Sequence, residues 1–180
     1  MSQTLTDQAA SSNPEKATKL RILQGDFLSS SDEAARVFFM SEDLSWEGDL
    51  GKAILEEVGP QLDEYILENV IQPKRGEAYF IPADVGNGHA YIIGILPLWD
   101  GGMNDEERAL KKCITGILET AEANGLRSLA FPALGMGKKD YPVRKAARLI
   151  LSVLTPFPYK TLRDLSVVCK TLEIFEAYSG

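Results

Sequence analysis

The second half of the chain alternates amphipathic helical patterns with short, uninterrupted apolar runs, and this restricts the possible folds more than any other feature. After Asn104, a good N-cap, Asp105, Glu106 and Glu107 complement the positive end of a helix dipole. Ala109, Leu110, Cys113, Ile114, Ile117, Leu118 and Ala121 then share one helical face, which makes Cys113 a core residue, and Gly125 supplies the stop. Residues 128–134 (SLAFPAL) and 165–169 (LSVVC) are continuous apolar runs, as expected of strands covered on both faces. Between them Pro142 suits the first turn of a helix that buries Val143, Ala147, Ile150 and Leu154, and residues 172–178 form a closing helix. Strands joined through helices run parallel, so the fold class is α/β: a three-layer α/β/α arrangement with a mixed, largely parallel central sheet.

The first half fits that frame. Leu20, Ile22 and Leu23 predict a strand ending at Gly25-Asp26, and residues 35–40 (ARVFFM) predict a second, buried one. Helices are expected over 50–58, stopped by Gly59-Pro60, and over 61–70. Residues 77–82 and 90–96 read as strands around the turn Val85-Gly86-Asn87-Gly88, with antiparallel pairing. Residues 1–17, rich in Ser, Gln, Thr and Ala without an apolar cluster, predict a disordered tail, which leaves 18–180 as one domain.

Charge narrows the partners. With 19 Lys+Arg against 26 Asp+Glu the net charge is −7, which offers no general field for a polyanion, so no DNA partner is expected. The start lacks a signal-peptide pattern and no apolar run is long enough to span a bilayer, so neither a membrane partner nor secretion is expected. Two distant cysteines, Cys113 and Cys169, and a lone histidine, His89, support neither a disulfide framework nor a metal site. The expectation is a cytoplasmic monomer without a cofactor or bound metal.

In open α/β sheets, ligands collect beyond the carboxyl ends of the strands, which directs attention to the turns at Asp26, at 47–51 and at 135–140. In FPALGMGKKDYP, Gly135 and Gly137 flank Met136 between a buried strand and a helix. Glycine lets backbone amides approach one point, and amides beside a helix N-terminus favour phosphate; the plain alternative is a tight turn. Lys138, Lys139, Arg144, Lys145 and Arg148 oppose only Asp140, so this segment is +4 and the remainder −11. That suits a diphosphate, although cations on an outer helix face are commonly just solvated. Asp26 offers a carboxylate that could accept a hydrogen bond from an exocyclic amine such as adenine N6, or simply cap its turn. Glu42, Asp43, Glu47 and Asp49 read as a solvated acidic loop, with metal or general-base work as the alternative. Trp99 could wall a cleft or pack in the core, and His89 reads as a loop residue.

Taken together, Gly25-Asp26, Gly76-Glu77-Ala78, PLWDGG with EERALKKC, GLRSLAFPALGMGKKDYP, VRKAARLILSVL and LSVVCKTLEIFEAY resemble the macro domain family in order and spacing. The resemblance runs from about Thr18 to the C-terminus and implies a cleft for ADP-ribose. It implies that Asp26 binds the adenine amine, with the Phe27 backbone supporting that end. Gly135, Met136, Gly137, Lys138 and Lys139 would surround the diphosphate and distal ribose, and Gly48, Asp49, Leu50 and Gly51 would form the opposing loop. Where hydrolases of the family usually carry an Asn-Ala-Ala-Asn segment and a glycine run, this chain reads MSEDLSWEGDLGK, so no catalytic residue is assigned. Three functions follow in order of preference. The first is a binding module for ADP-ribose, a related adenine nucleotide or an ADP-ribosylated macromolecule. The second is an ADP-ribosyl or O-acetyl-ADP-ribose hydrolase using Asp49 or Glu47. The third is a degenerate macro fold serving as an interaction scaffold, with its cleft filled by its own side chains.

Overall fold

A computed structural model describes residues 17–46, 48–135 and 140–180. Six strands form one sheet in the order β1-β6-β5-β2-β4-β3: β1 (Lys19–Gln24), β2 (Ala35–Met40), β3 (Ala78–Ile81), β4 (Ala90–Ile95), β5 (Ser128–Pro132) and β6 (Asp164–Cys169). All neighbours pair in parallel except β3, which runs antiparallel to β4 with Tyr79 opposite Ile93. The helices among the described residues are α1 (Gly48–Val58), α2 (Pro60–Asn69), α3 (Glu106–Ala123), α4 (Val143–Leu154) and α5 (Leu172–Ser179). This is the mixed, largely parallel three-layer arrangement that the alternating pattern predicts.

Period-two alternation sorts the strand residues into two cores. Val37, Ile92, Phe131, Val167 and Cys169 face α3, α4 and α5. Phe38, Met40, Tyr91, Ile93 and Ile95 face α1 and α2 through Ile54, Val58, Leu62 and Ile66. All six residues of β4 are buried because both of its faces are covered. Helix α3 lies so close to the sheet that a Cβ at Gly94 would stand 2.6 Å from Cys113 Sγ, and Cys113 is fully buried, a packed core residue. Burial drives its thiol pKa far up, which leaves it inert.

The second face of the β1, β6 and β5 end is covered differently. There the long connection between β1 and β2 folds back over the sheet, seating Phe27 against Ala130 and Val168. Ser166 on β6 donates from Oγ to the buried carboxylate of Glu33. Arg36, 4% exposed, locks this connection in place. Its guanidinium donates to the carbonyls of Leu28 (3.0 Å) and Ser31 (3.2 Å), to Tyr91 Oη (3.0 Å) and to Glu57 near the end of α1 (2.8 Å). Burial pulls the Arg36 pKa down, but the hydrogen bonds to Glu57 and Tyr91 outweigh it, and the net shift is upward.

Local expectations shift at the helix starts. Asn104 is not the N-cap of α3. Asp105 holds that position in the left-handed region (φ 59) with no side-chain cap, and Asn104 instead donates its amide to Glu106 at 2.8 Å. Pro142 caps α4 rather than entering its first turn, and the helix buries Ala146 and Leu149 beside Ala147, Ile150 and Leu154, while Val143 is half-buried. His89 lies in a loop, as expected, with Nδ1 3.1 Å from the Glu33 carbonyl. Of the predicted tail, residues 1–16 lie outside the described residues, and Ala17 is buried.

Candidate functional site

Four connections at the carboxyl edge of the parallel strands, after β1, β2, β5 and β6, enclose a cleft of about 720 Å³. Gly25, Asp26, Phe27 and Leu28, following β1, form one wall. The first turns of α1 face it with Gly48, Asp49, Leu50, Gly51 and Ala53. Phe38 and Phe39 of β2 and Pro132 to Leu134 after β5 line the interior. Asp140, Val168, Lys170, Thr171 and Ile174 complete it. The cleft is where a parallel sheet places ligands, because adjacent connections leave opposite faces and open a crevice between them.

The wall near Asp26 is a compact turn. Asp26 Oδ2 accepts from both the amide and the hydroxyl of Ser29 at 3.1 Å, so the carboxylate caps its own turn while remaining on the cleft lining. Helix α1 comes close to the sheet at Gly51, where a Cβ would meet Phe38 Cζ at 3.1 Å. Phe38 in turn stacks on Trp46, with centroids 5.3 Å apart, and Trp46 Nε1 donates to Asp63 of α2 at 2.7 Å. These contacts fix the height of the α1 wall over the cleft floor.

At the other end, Gly135 has φ +136, and a Cβ there would lie 2.7 Å from Val143 Cα, so only glycine allows this turn against the start of α4. Its amide points at Asp140 Oδ2 (3.1 Å), and Asp140 Oδ1 accepts from the Tyr141 amide at 2.8 Å. Tyr141 is buried, donates from its hydroxyl to the Glu106 carbonyl at 3.0 Å and packs tilted against Trp99 at 5.3 Å. Trp99, half-buried, packs against the core and walls a separate cavity of about 350 Å³ beside Ser41, Arg75 and Leu96, outside this cleft. Glu106, fully buried, accepts from the amides of Asp100, Gly102 and Asn104. Its burial alone would raise its pKa, but those amides together hold the carboxyl below the usual glutamate range.

Asp26, Phe27, Gly48, Asp49, Leu50 and Gly51 therefore share one cleft with Asp140. Gly135 stands just behind the lining, while Met136, Gly137, Lys138, Lys139 and Glu47 lie outside the described residues. No cluster of His, Cys, Asp and Glu suited to a metal occurs among the described residues. Sequence reasoning missed the aromatic floor of Phe38 and Phe39, which look like ordinary core residues in a β pattern. It also counted Asp140 only as a lone acid among cations.

The fold is thus a mixed α/β/α sandwich with a cleft at the strand ends, walled by a Gly-Asp turn and a glycine-bearing strand-to-helix connection. The macro domain family model matches residues 40–150, and the chain belongs to that family. It is 29% identical over 167 residues to an O-acetyl-ADP-ribose deacetylase of Salmonella newport, covering 90% of this chain and 93% of that protein. Among solved structures it resembles the Oceanobacillus iheyensis macrodomain with ADP, at a TM-score of 0.79 and 21% identity over 90% and 88% of the two chains. It also resembles the Trypanosoma brucei macrodomain in complex with ADP-ribose, at 0.77 and 21% identity over 88% and 67%.

Proposed function

We propose that this protein binds ADP-ribose, free or attached to a macromolecule, in the cleft between the Asp26 turn and the β5–α4 connection. The observation that carries this reading is the shared lining. A carboxylate able to accept from an exocyclic amine stands in the same crevice as the first turns of α1 and the base of a glycine loop. Asp26 receives the adenine amine, and the Phe27 backbone supports that end. Gly48, Asp49, Leu50 and Gly51 close over the phosphates and distal ribose, together with Gly135, Met136, Gly137, Lys138 and Lys139. The volume fits a dinucleotide-sized ligand. The reading further takes residues 18–180 as one domain acting as a cytoplasmic monomer, consistent with two buried free cysteines and with no described helix long and apolar enough to cross a membrane.

The relatives named O-acetyl-ADP-ribose deacetylase support hydrolysis as the second reading. Asp49 is the carboxylate for it to use, since it lines the cleft among the residues that close over the phosphates and distal ribose. The open, Asp26-lined crevice counts against the scaffold reading, which requires a filled one.

Isothermal titration with ADP-ribose, ADP and AMP tests the binding reading. ADP-ribose is expected to bind, and Asp26→Ala is expected to weaken it about tenfold, the loss of one charge-assisted hydrogen bond of roughly 1.4 kcal/mol. Absence of heat at millimolar ligand, or an Asp26→Ala variant that binds as well as the native protein, contradicts the assignment. Release of acetate from O-acetyl-ADP-ribose that Asp49→Ala abolishes would establish the second reading, and equal rates for the two proteins would remove Asp49 from it.

A further inference from the structure

We infer that Ser29 is a positioning residue for the adenine end of the cleft: it pins the Asp26 carboxylate in one orientation, with a single oxygen left for the exocyclic amine. This role rests on the reading of Asp26 as the adenine contact and names the residue that makes the contact selective. Asp26 is exposed, and an exposed carboxylate on a short stem ordinarily turns about its side-chain bonds. Here it is held. Ser29 directs both its amide and its hydroxyl at Oδ2, each at 3.1 Å, and the hydroxyl's other acceptor, the Asp26 carbonyl, is farther away at 3.5 Å. Oδ1 accepts no hydrogen bond from any described residue. The backbone that carries Ser29 is fixed on both sides, because Arg36 donates to the carbonyls of Leu28 (3.0 Å) and Ser31 (3.2 Å). The turn is also tied to the sheet, where the Gly25 amide donates to the Cys169 carbonyl at 2.9 Å and Phe27 is buried against Ala130 and Val168.

An ionised carboxylate has no proton to give, so it recognises a base only through a donor on that base. Adenine carries its donor on the exocyclic amine. Hypoxanthine has a carbonyl oxygen at that position, and its donor is the N–H of the neighbouring ring nitrogen. A carboxylate free to swing follows the donor from one place to the other and tells the two bases apart poorly. One pinned through Oδ2 cannot follow, so Oδ1 faces the carbonyl oxygen of hypoxanthine with no proton between them. The side chain is also ordered before the ligand arrives, which removes that ordering cost from binding.

The test titrates the native protein, Ser29→Ala, Asp26→Ala and the double variant with ADP-ribose and with inosine diphosphate ribose, its hypoxanthine counterpart, after thermal melts show that each variant unfolds cooperatively. Ser29→Ala is expected to weaken ADP-ribose about threefold and the hypoxanthine ligand less, so that the preference for adenine narrows. Added to Asp26→Ala, the same substitution is expected to cost nothing more, since it acts only through the carboxylate already removed. Native affinity in Ser29→Ala, an equal loss for both ligands, or the same loss with and without Asp26 overturns the positioning role, while a weakened Asp26→Ala keeps the ADP-ribose reading. No binding by the native protein, or native affinity in Asp26→Ala, overturns that reading itself and the positioning role with it. A measurement on the native protein keeps the question decidable if Ser29→Ala unfolds. The Hα–Hβ couplings of Asp26 without ligand are expected to report one side-chain rotamer, unchanged when ADP-ribose is added. Couplings averaged over several rotamers refute the pinning.

Discussion

Two neighbouring connections at the carboxyl edge of the sheet use the same device with opposite consequences. In residues 100–106, Glu106 folds its carboxylate back onto the amides of Asp100, Gly102 and Asn104 and is fully buried. In residues 135–141, Asp140 accepts from Gly135 and Tyr141 but lies half-buried on the wall of an open cleft. The two are joined, since Tyr141 donates to the backbone carbonyl of Glu106. A carboxylate that no ligand can reach is a fastener, because removing it strands buried amides without a partner. A carboxylate on an open cleft wall can be replaced by water at the same donors, so its removal strands nothing. Burial, and not the hydrogen-bond pattern, separates the two roles.

The contrast breaks most sharply at Glu106. Glu106→Ala is expected to produce the largest fall in melting temperature of any variant considered, because three amides lose their acceptor together. Asp140→Ala, with water or ligand free to replace the carboxylate, is expected to melt close to the native protein. Differential scanning calorimetry of both variants decides the point, and equal losses would show that the two loops are the same kind of fastener.

Next in size is the cation that ties the opposite wall together. Arg36→Met removes the donors that hold the Leu28 and Ser31 carbonyls and Glu57, and is expected to lower stability by about 2–3 kcal/mol. The figure lies at the lower end for a buried charge because Glu57 is 45% exposed and can return to water. Because the Asp26 turn loses its anchor, ADP-ribose affinity should fall with stability. Urea unfolding together with titration checks both, and a destabilised variant with native affinity would separate the wall from the site.

The smallest effect belongs to Glu122, which applies the fastener principle far from the cleft by accepting from the amides of Lys160 (3.0 Å), Thr161 (2.8 Å) and Leu162 (3.1 Å). Burial pushes its pKa up, but those amides more than offset this and leave it lowered from 4.5. A lowered folded-state pKa adds stability above the ordinary glutamate value, and that stability is lost as pH falls through the folded value. Glu122→Gln should therefore be less stable than the native protein by about 1 kcal/mol near neutrality, with the gap closing below about pH 4. Urea midpoints for the two proteins from pH 7 down to pH 3 measure it, and a gap that widens in acid would reverse the sign.

Much of this architecture is legible in the residues because it depends on short-range periodicity. ARVFFM forms β2 at the expected residues, and the face from Ala109 to Ala121 is buried as its spacing requires. The helix starts were less legible. Asn104 is a good cap by type, yet Glu106, two residues on, captures the amides of that turn and shifts the start. Within the cleft, Asp26 and the Gly48–Gly51 stretch stand out in the sequence, whereas Phe38, Phe39 and Ile174 do not, because a lining residue and a core residue share the same apolar pattern.

The order of helices and strands, the parallel sheet and the apolar faces come from the sequence alone, since each follows from the side-chain period of a few consecutive residues. Which carboxylate becomes a fastener, which one lines the cleft and where Arg36 reaches were settled only by the tertiary structure. Those roles depend on donors brought together from distant segments, as when the Tyr141 hydroxyl meets the Glu106 carbonyl, and on how far each group is withdrawn from water. No local pattern encodes the distance between segments that only packing brings together.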